Sequence, residues 1–229
     1  MNINENNRKS YDQTAKMFSS SRGYVWPDLQ IFNEYINDGD KLLDLGCGNG
    51  RLVDLIKEKQ IDYLGVDNSQ GLIDCAKKSF PDKKFEVQDA LNLNLTENSF
   101  DVVLSVSVFN HIEKENQQEF IDNIKKILKP GGTLLFSNWN MWNVNGRKSI
   151  WKQNKAVDVK RKSFKDVWTT WKSTGNEVSL YYYAFTKREL NKLLRQNGFK
   201  IIKSYYTKQG KKTNLFIAEN ILTIAKRKA

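Results

Sequence analysis

The sequence predicts an α/β fold, a doubly wound and mostly parallel sheet of seven strands that ends in an antiparallel hairpin. Three observations predict it. Short apolar segments alternate strictly with helical ones between Lys41 and Ser137. A glycine loop, Gly46-Cys47-Gly48-Asn49-Gly50, directly follows the first apolar segment. After the alternation ends, a capped helix at Lys187 leads into two final extended segments.

In chain order, residues 5–18 read as a helix with Tyr11, Ala15 and Phe18 on one face. Pro27 suits the first turn of a helix reaching Ile36. Asn37-Asp38-Gly39-Asp40 is a turn, Lys41–Leu45 a buried strand, Arg51–Lys59 a helix and Tyr63–Val66 a second strand. Asn68 or Ser69 caps a helix running to Lys78. Lys84–Val87 and Phe100–Val106 are the third and fourth strands. Glu115–Leu128 is amphipathic, and Lys129-Pro130-Gly131-Gly132 turns it into the strand Thr133–Ser137. Asn138–Leu180 has no clean period and reads as a polar, basic, Trp-rich insertion over the site. Thr186 caps Lys187–Gln196, and Phe199–Tyr206 with Asn214–Ala218 or beyond form the closing hairpin across Lys208–Lys212. The whole is one domain: a helical lid (1–38), a core (39–137), the insert (138–185) and a C-terminal helix and hairpin (186–229).

At 229 residues and 39% hydrophobic, the chain buries one core, and no apolar run is long enough for a membrane helix. The polar N-terminus lacks the apolar segment of a signal peptide, and two cysteines without a CxxC pair suit a reduced, cytoplasmic setting without structural zinc. No metal site is expected. Charge is unevenly placed: residues 1–146 carry a net −5, residues 147–172 a net +7 and residues 187–229 a net +10. A basic block of this kind suits a polyanion such as RNA, and equally a lysine-rich solubilising surface.

The glycine loop permits positive φ and close backbone approach, with the next element's N-terminus aimed at a ligand. A dinucleotide fingerprint reads G-x-G-x-x-G; here the spacing is G-x-G-x-G, with Asp44 two residues before the first glycine. No diphosphate needs cradling at such a loop, which points to S-adenosylmethionine laid along Gly46, Cys47, Gly48, Asn49 and Gly50. Asp67, with Asn68, ends the second strand, where a carboxylate accepts from both ribose hydroxyls. Asp89-Ala90 follows the third strand, suited to an adenine amino group and ring nitrogen, and the fourth ends in Ser105-Val106-Ser107, beside the sulfonium. Each of these is alone an ordinary cap or loop residue. Three carboxylates at three successive strand ends favour the cofactor.

His111, the only histidine, and Asn110 follow the fourth strand, where ligands bind in such sheets. His111 reads either as a substrate contact handling protons or as a packing residue. In Ser20-Ser21-Arg22-Gly23-Tyr24-Val25-Trp26-Pro27, Arg22 offers a guanidinium and Trp26 a ring to a ligand, or serves at the surface and in the core. Trp151, Phe164, Trp168 and Trp171 are interleaved with basic residues, Lys160 and Arg161 among them, which fits single-stranded nucleic acid or buried rings under snorkelling lysines.

These residues resemble the eukaryotic tRNA wobble-uridine carboxymethyl methyltransferases, members of the class I S-adenosylmethionine-dependent methyltransferases with their Rossmann-like fold. The resemblance runs through Tyr11, Ala15, Phe18-Ser19, Arg22 and Trp26-Pro27, then Asp44–Gly50, Asp67–Ala76, Asp89-Ala90-Leu91-Asn92-Leu93 and Phe100-Asp101. It continues in Ser107-Val108-Phe109-Asn110-His111, where Asn110 departs from the family's His-His pair, and in Asp166-Val167-Trp168, Trp171-Lys172 and Tyr181–Thr186. It implies methyl esterification of a carboxymethyl group on the first anticodon nucleoside of tRNA. Arg22 then orients the carboxylate, Tyr11 packs over the cofactor, and His111 contacts the base; Trp26, Asn110, Trp139, Lys160 and Arg161 bind substrate. It also implies a small zinc-binding activator protein paired along the sheet edge. Other acceptors compete with this reading: a small quinone, amine or carboxylic acid under a roof of Trp139, Trp142 and Trp151, or RNA bound without catalysis by a relative of the same fold. A dehydrogenase is disfavoured by the glycine spacing and the terminal hairpin.

Overall fold

The computed structural model describes residues 2–146, 154, 162–173 and 176–229. Helix α1 (Ile3–Ser21) and a 3-10 segment (Pro27–Tyr35) precede the alternating core. That core comprises β1 (Lys41–Leu45), β2 (Asp62–Asp67), α2 (Gln70–Ser79), β3 (Lys84–Val87), β4 (Phe100–Val106), α3 (Gln117–Ile127) and β5 (Leu128–Trp139). Then come β6 (Asp166–Ser173), β7 (Asn176–Tyr183), α4 (Lys187–Gln196), β8 (Phe199–Lys208), β9 (Lys211–Thr213) and β10 (Asn220–Arg227).

The main sheet has the order β3-β2-β1-β4-β5-β10-β8-β9. Strands β1 to β5 are mutually parallel, and β10 is inserted antiparallel between β5 and β8. The chain reverses direction between β1 and β4, so the carboxyl ends of these two strands open a crevice where ligands bind in such sheets. One apolar layer holds Leu43, Val103, Phe109, Phe120 and Phe136; the other holds Leu29, Phe32, Leu42, Leu104 and Ile224.

Several elements differ from expectation. The helix expected at Arg51–Lys59 is only a 3-10 turn, Arg51–Leu55. The last strand lies beyond Asn214–Ala218, at Asn220–Arg227, so Lys226 and Arg227 belong to the sheet. The short β9 adds an eighth strand to the seven expected. The largest difference lies in the insert, where β6 and β7 form a separate antiparallel hairpin, Asp166 opposite Tyr183. Both of its faces are covered: Trp168, Tyr181 and Tyr183 join the main core, while Val167, Leu180 and Tyr182 form a smaller cluster under α1. Apolar residues therefore occur on both sides of each strand, and the period of two that would announce a half-buried strand is lost.

Helix α1 lies between α2 and β7. Asp12 Oδ1 accepts from Ser69 Oγ (2.6 Å) and from Gly71 N (3.1 Å), putting an acid at the N-terminus of α2. At the other side Asn7 pairs with both backbone groups of Tyr181, accepting from its N–H (2.9 Å) and donating to its carbonyl (3.1 Å). The helix is thus pinned across the mouth of the crevice.

Candidate active site

The carboxyl ends of β1, β2, β3 and β4 surround one cavity of about 120 Å³. Gly46, Cys47, Gly48 and Asn49 form its floor, Asp67 and Asn68 one wall, and Gln88, Asp89 and Ala90 the far end. Gly46 has φ 76°, and a Cβ there would stand 2.1 Å from Val108 Cγ2, so only glycine lets this loop pass under β4's end. Asp67 is tied to the loop: Oδ2 accepts from Gly48 N (2.9 Å) and Oδ1 from Ser69 N (2.9 Å). Burial raises its pKa to about 6, against the lowering by these N–H donors. At the far end, Asp89 accepts from Asn4 Nδ2 (2.7 Å) of the lid helix.

His111 and Tyr11 close the cavity from above. His111 Nδ1–H donates to the Tyr181 carbonyl (2.9 Å), which leaves Nε2 to accept from Tyr11 Oη (3.0 Å). Burial lowers the His111 pKa to about 4, with the carbonyl acting weakly in the other sense. The ring is therefore neutral at physiological pH, and its one lone pair is engaged.

A second cavity of about 560 Å³ lies beyond an aromatic wall made of Trp26, Trp139 and Trp171, which line both cavities. Arg22 sits in that wall. Its guanidinium carbon is 5.2 Å from the ring centres of Phe18 and Trp171, 5.6 Å from Trp26 and 5.9 Å from Trp139. At roughly 0.5–1 kcal/mol for each such contact, the cage fixes the side chain, and among the described residues its N–H donors are unspent.

Of the residues expected at the site, Tyr11, Arg22, Trp26, Gly46, Cys47, Gly48, Asn49, Asp67, Asn68, Asp89, Ala90, His111 and Trp139 line the first cavity. Four do not. Asp44 is fully buried beneath the loop, where Tyr63 Oη donates to it (2.9 Å) and burial raises its pKa to about 7. Gly50 backs onto Phe85 and Phe80 instead of the cavity. Ser105 lies inside the sheet beside Phe136, one residue short of the strand end, whereas Val106 and Ser107 after it line the cavity. Asn110 is a clamp rather than a substrate contact, accepting from Trp139 N (2.9 Å) and donating to the Tyr183 carbonyl (3.1 Å). Lys160, Arg161 and Trp151 lie outside the described residues. Trp168, 3% exposed, is core rather than an RNA-facing ring, and Trp142 donates to the Ala184 carbonyl and lines neither cavity.

Residues 43–136 match the methyltransferase-domain family model. The match falls on the alternating core and its glycine loop. The chain is 35% identical over 131 residues to the tRNA (carboxymethyluridine(34)-5-O)-methyltransferase of Arabidopsis thaliana, covering 56% of this chain and 31% of that protein. It is 25% identical over 217 residues to the Schizosaccharomyces pombe protein of the same name, covering 89% and 92% of the two chains. In structure, it resembles the methyltransferase-like subunit of a complex with the Haloferax volcanii Trm112 methyltransferase activator, with a TM-score of 0.71 at 19% identity over 97% of this chain and 98% of that one. The fold is therefore that of the class I methyltransferases.

The cofactor of such a domain, S-adenosylmethionine, fits the residues present. Asp67 and Asp89 offer acceptors for hydroxyl and amino groups. Asn49 Oδ1 and Ser107 Oγ, buried at the cavity, have no partner among the described residues and suit the polar methionyl end. The sequence pattern did not mark Asn4, Asn7 and Arg51 as members of this site, whereas Ser107 lines it as expected from the end of the fourth strand. Asn4, Asn7, Tyr11 and Phe18 fall at intervals of three, four and seven along α1, a helical stripe whose polar members hid the signal.

Proposed function

We propose that the chain transfers a methyl group from S-adenosylmethionine to the carboxylate of a carboxymethyl-modified uridine at the first anticodon position of tRNA. The observation that carries this is Arg22, held by aromatic rings in the wall between the two cavities with its donors unspent among the described residues. A planar guanidinium so placed suits a carboxylate presented from the second cavity toward the first.

The chemistry asks little else of the protein. An acceptor carboxylate is ionised at neutral pH, so no base must remove a proton. One carboxylate oxygen forms the new bond to the methyl carbon, the methyl–sulfur bond breaks, and its electron pair stays on sulfur. The products are a methyl ester and S-adenosylhomocysteine. When bound, the cofactor supplies the electrophilic methyl; the chain supplies alignment. His111 supports this reading, since it is neutral and engaged with Tyr11 rather than available as a base.

RNA as the carrier of the acceptor is supported by the β8–β9 turn. Gln209 lines the second cavity, and Lys208, Lys211 and Lys212 flank it. A zinc-binding activator of the Trm112 type is part of the proposal, supported by the structural neighbour and by β3, which lies at an open sheet edge with Val87 exposed.

The test is transfer of labelled methyl groups to total tRNA from a strain lacking this protein, with and without a candidate activator, followed by nucleoside mass spectrometry. A base-labile methyl ester on carboxymethyluridine is expected. Absence of incorporation in both arms overturns the tRNA assignment, and incorporation into a free carboxylic acid alone replaces it with a small-molecule acceptor.

A further inference from the structure

The site contains a second guanidinium that the mechanism above leaves unused. Arg51 follows the glycine loop, is 9% exposed, and lines the first cavity but not the second. Its guanidinium carbon stands 4.1 Å from the centre of the Trp26 ring, the same ring that Arg22 approaches at 5.6 Å. Among the described residues, buried Nη1 of Arg51 has no hydrogen-bond partner.

A cation in this position is costly unless a counter-charge accompanies it. Among the described residues none forms an ion pair with it. The acid that acts on it is Asp44, itself pushed toward the neutral form by burial. Burial, and next the charge of Arg22, lower the Arg51 pKa to about 10, so the group remains a cation at neutral pH. An unpaired buried cation with an open donor, aimed into a ligand cavity, calls for an anion that arrives with the ligand.

We infer that Arg51 anchors the methionyl carboxylate of the methyl donor, while Arg22 serves the acceptor; this rests on the methyltransferase reading. Two carboxylates take part in the reaction proposed, and the site holds two guanidiniums on one indole. Their division follows from placement. Both guanidiniums line the cavity that holds Asp67 and Asp89, but only Arg22 also approaches Trp139 and Trp171, which line the second cavity as well. The same division keeps the acceptor from being drawn into the donor's place, because the deeper cation is already neutralised once the donor is bound.

Calorimetric binding of S-adenosylmethionine, S-adenosylhomocysteine and decarboxylated S-adenosylmethionine tests this without any turnover. Wild type should bind the decarboxylated analogue about 10- to 100-fold more weakly than the parent, the range of a lost charge-assisted contact. In Arg51→Gln that preference should shrink to within about threefold, and in Arg51→Lys a part of it should survive. In Arg22→Gln it should persist. Retention of the full preference in Arg51→Gln overturns the assignment, as does its collapse in Arg22→Gln instead. An equal loss for parent and analogue in Arg51→Gln would reveal a packing role and also overturns it. Failure of wild type to bind any of the three would sink the methyltransferase reading itself.

Discussion

Replacing Arg22 probes the proposed chemistry most directly. The cage of Phe18, Trp26, Trp139 and Trp171 stabilises the side chain whether or not an acceptor is present, so it contributes little to the difference between ground and transition states. The loss on substitution is then the charge-assisted bond to the acceptor carboxylate, about 1.5–3 kcal/mol, or roughly 10- to 150-fold in kcat/KM. Arg22→Ala should show this full loss with carboxymethyluridine-containing tRNA at saturating cofactor. Arg22→Lys, which keeps the charge but not the planar fork, should fall about 10-fold. Cofactor affinity should stay within about twofold, because Asn49 donates to the backbone carbonyl of Arg22 (3.3 Å), which any residue supplies. Unchanged kcat/KM in Arg22→Ala, or a matching loss of cofactor binding measured by calorimetry, would refute the reasoning.

Asp28 anchors the segment that carries Trp26, accepting from Thr207 Oγ1 (3.0 Å), Asn220 Nδ2 (2.6 Å) and Gly210 N. Asp28→Ala strands these buried donors and should cost about 3 kcal/mol in urea denaturation; a loss below about 1 kcal/mol would show the network to be dispensable. Asp67→Asn removes the charge that would meet the ribose hydroxyls and should weaken S-adenosylmethionine about 10-fold, with RNA affinity unaltered; equal cofactor affinity would exclude that role. Burial lowers the folded His111 pKa to about 4 from 6.5, so the unfolded chain takes the proton first on acidification. Its contribution is complete above pH 6.5 and is lost as pH falls toward 4, by at most about 3 kcal/mol because the ring also borders the cavity. Denaturation midpoints of His111→Gln should fall less steeply over that window than those of wild type, and parallel acid limbs would count against the buried neutral ring.

The alternating core was legible because each signal is local. Lys41–Leu45, Lys84–Val87 and Phe100–Val106 are strands at the bounds read from their apolar runs, and Ser69 and Thr186 cap the helices expected to follow them. What escaped depends on partners distant in sequence. The β6–β7 hairpin is buried on both faces, so its pattern reads as noise until α1 and the main core are placed on either side. The true final strand, Asn220–Arg227, is chosen by pairing with β5 and β8, while the more exposed segment before it wraps the β5 end, where Asn140 donates to the carbonyls of Leu215 and Ala218.

The sequence by itself determined the sheet architecture and the cofactor-type loop, since glycine spacing and strand-end carboxylates are written within short windows. Only the tertiary structure decided which side chains face the cavity. Asp44 and Ser105 stand near strand ends and Asn110 in the 3-10 turn after β4, yet the pleat and neighbouring backbone turn them inward to bind Tyr63, to fill the sheet or to clamp Trp139. It also brought Arg22 and Arg51, which sit 29 positions apart, onto one indole ring. Side-chain direction and charge proximity arise from packing between elements, and no periodicity along the chain records them.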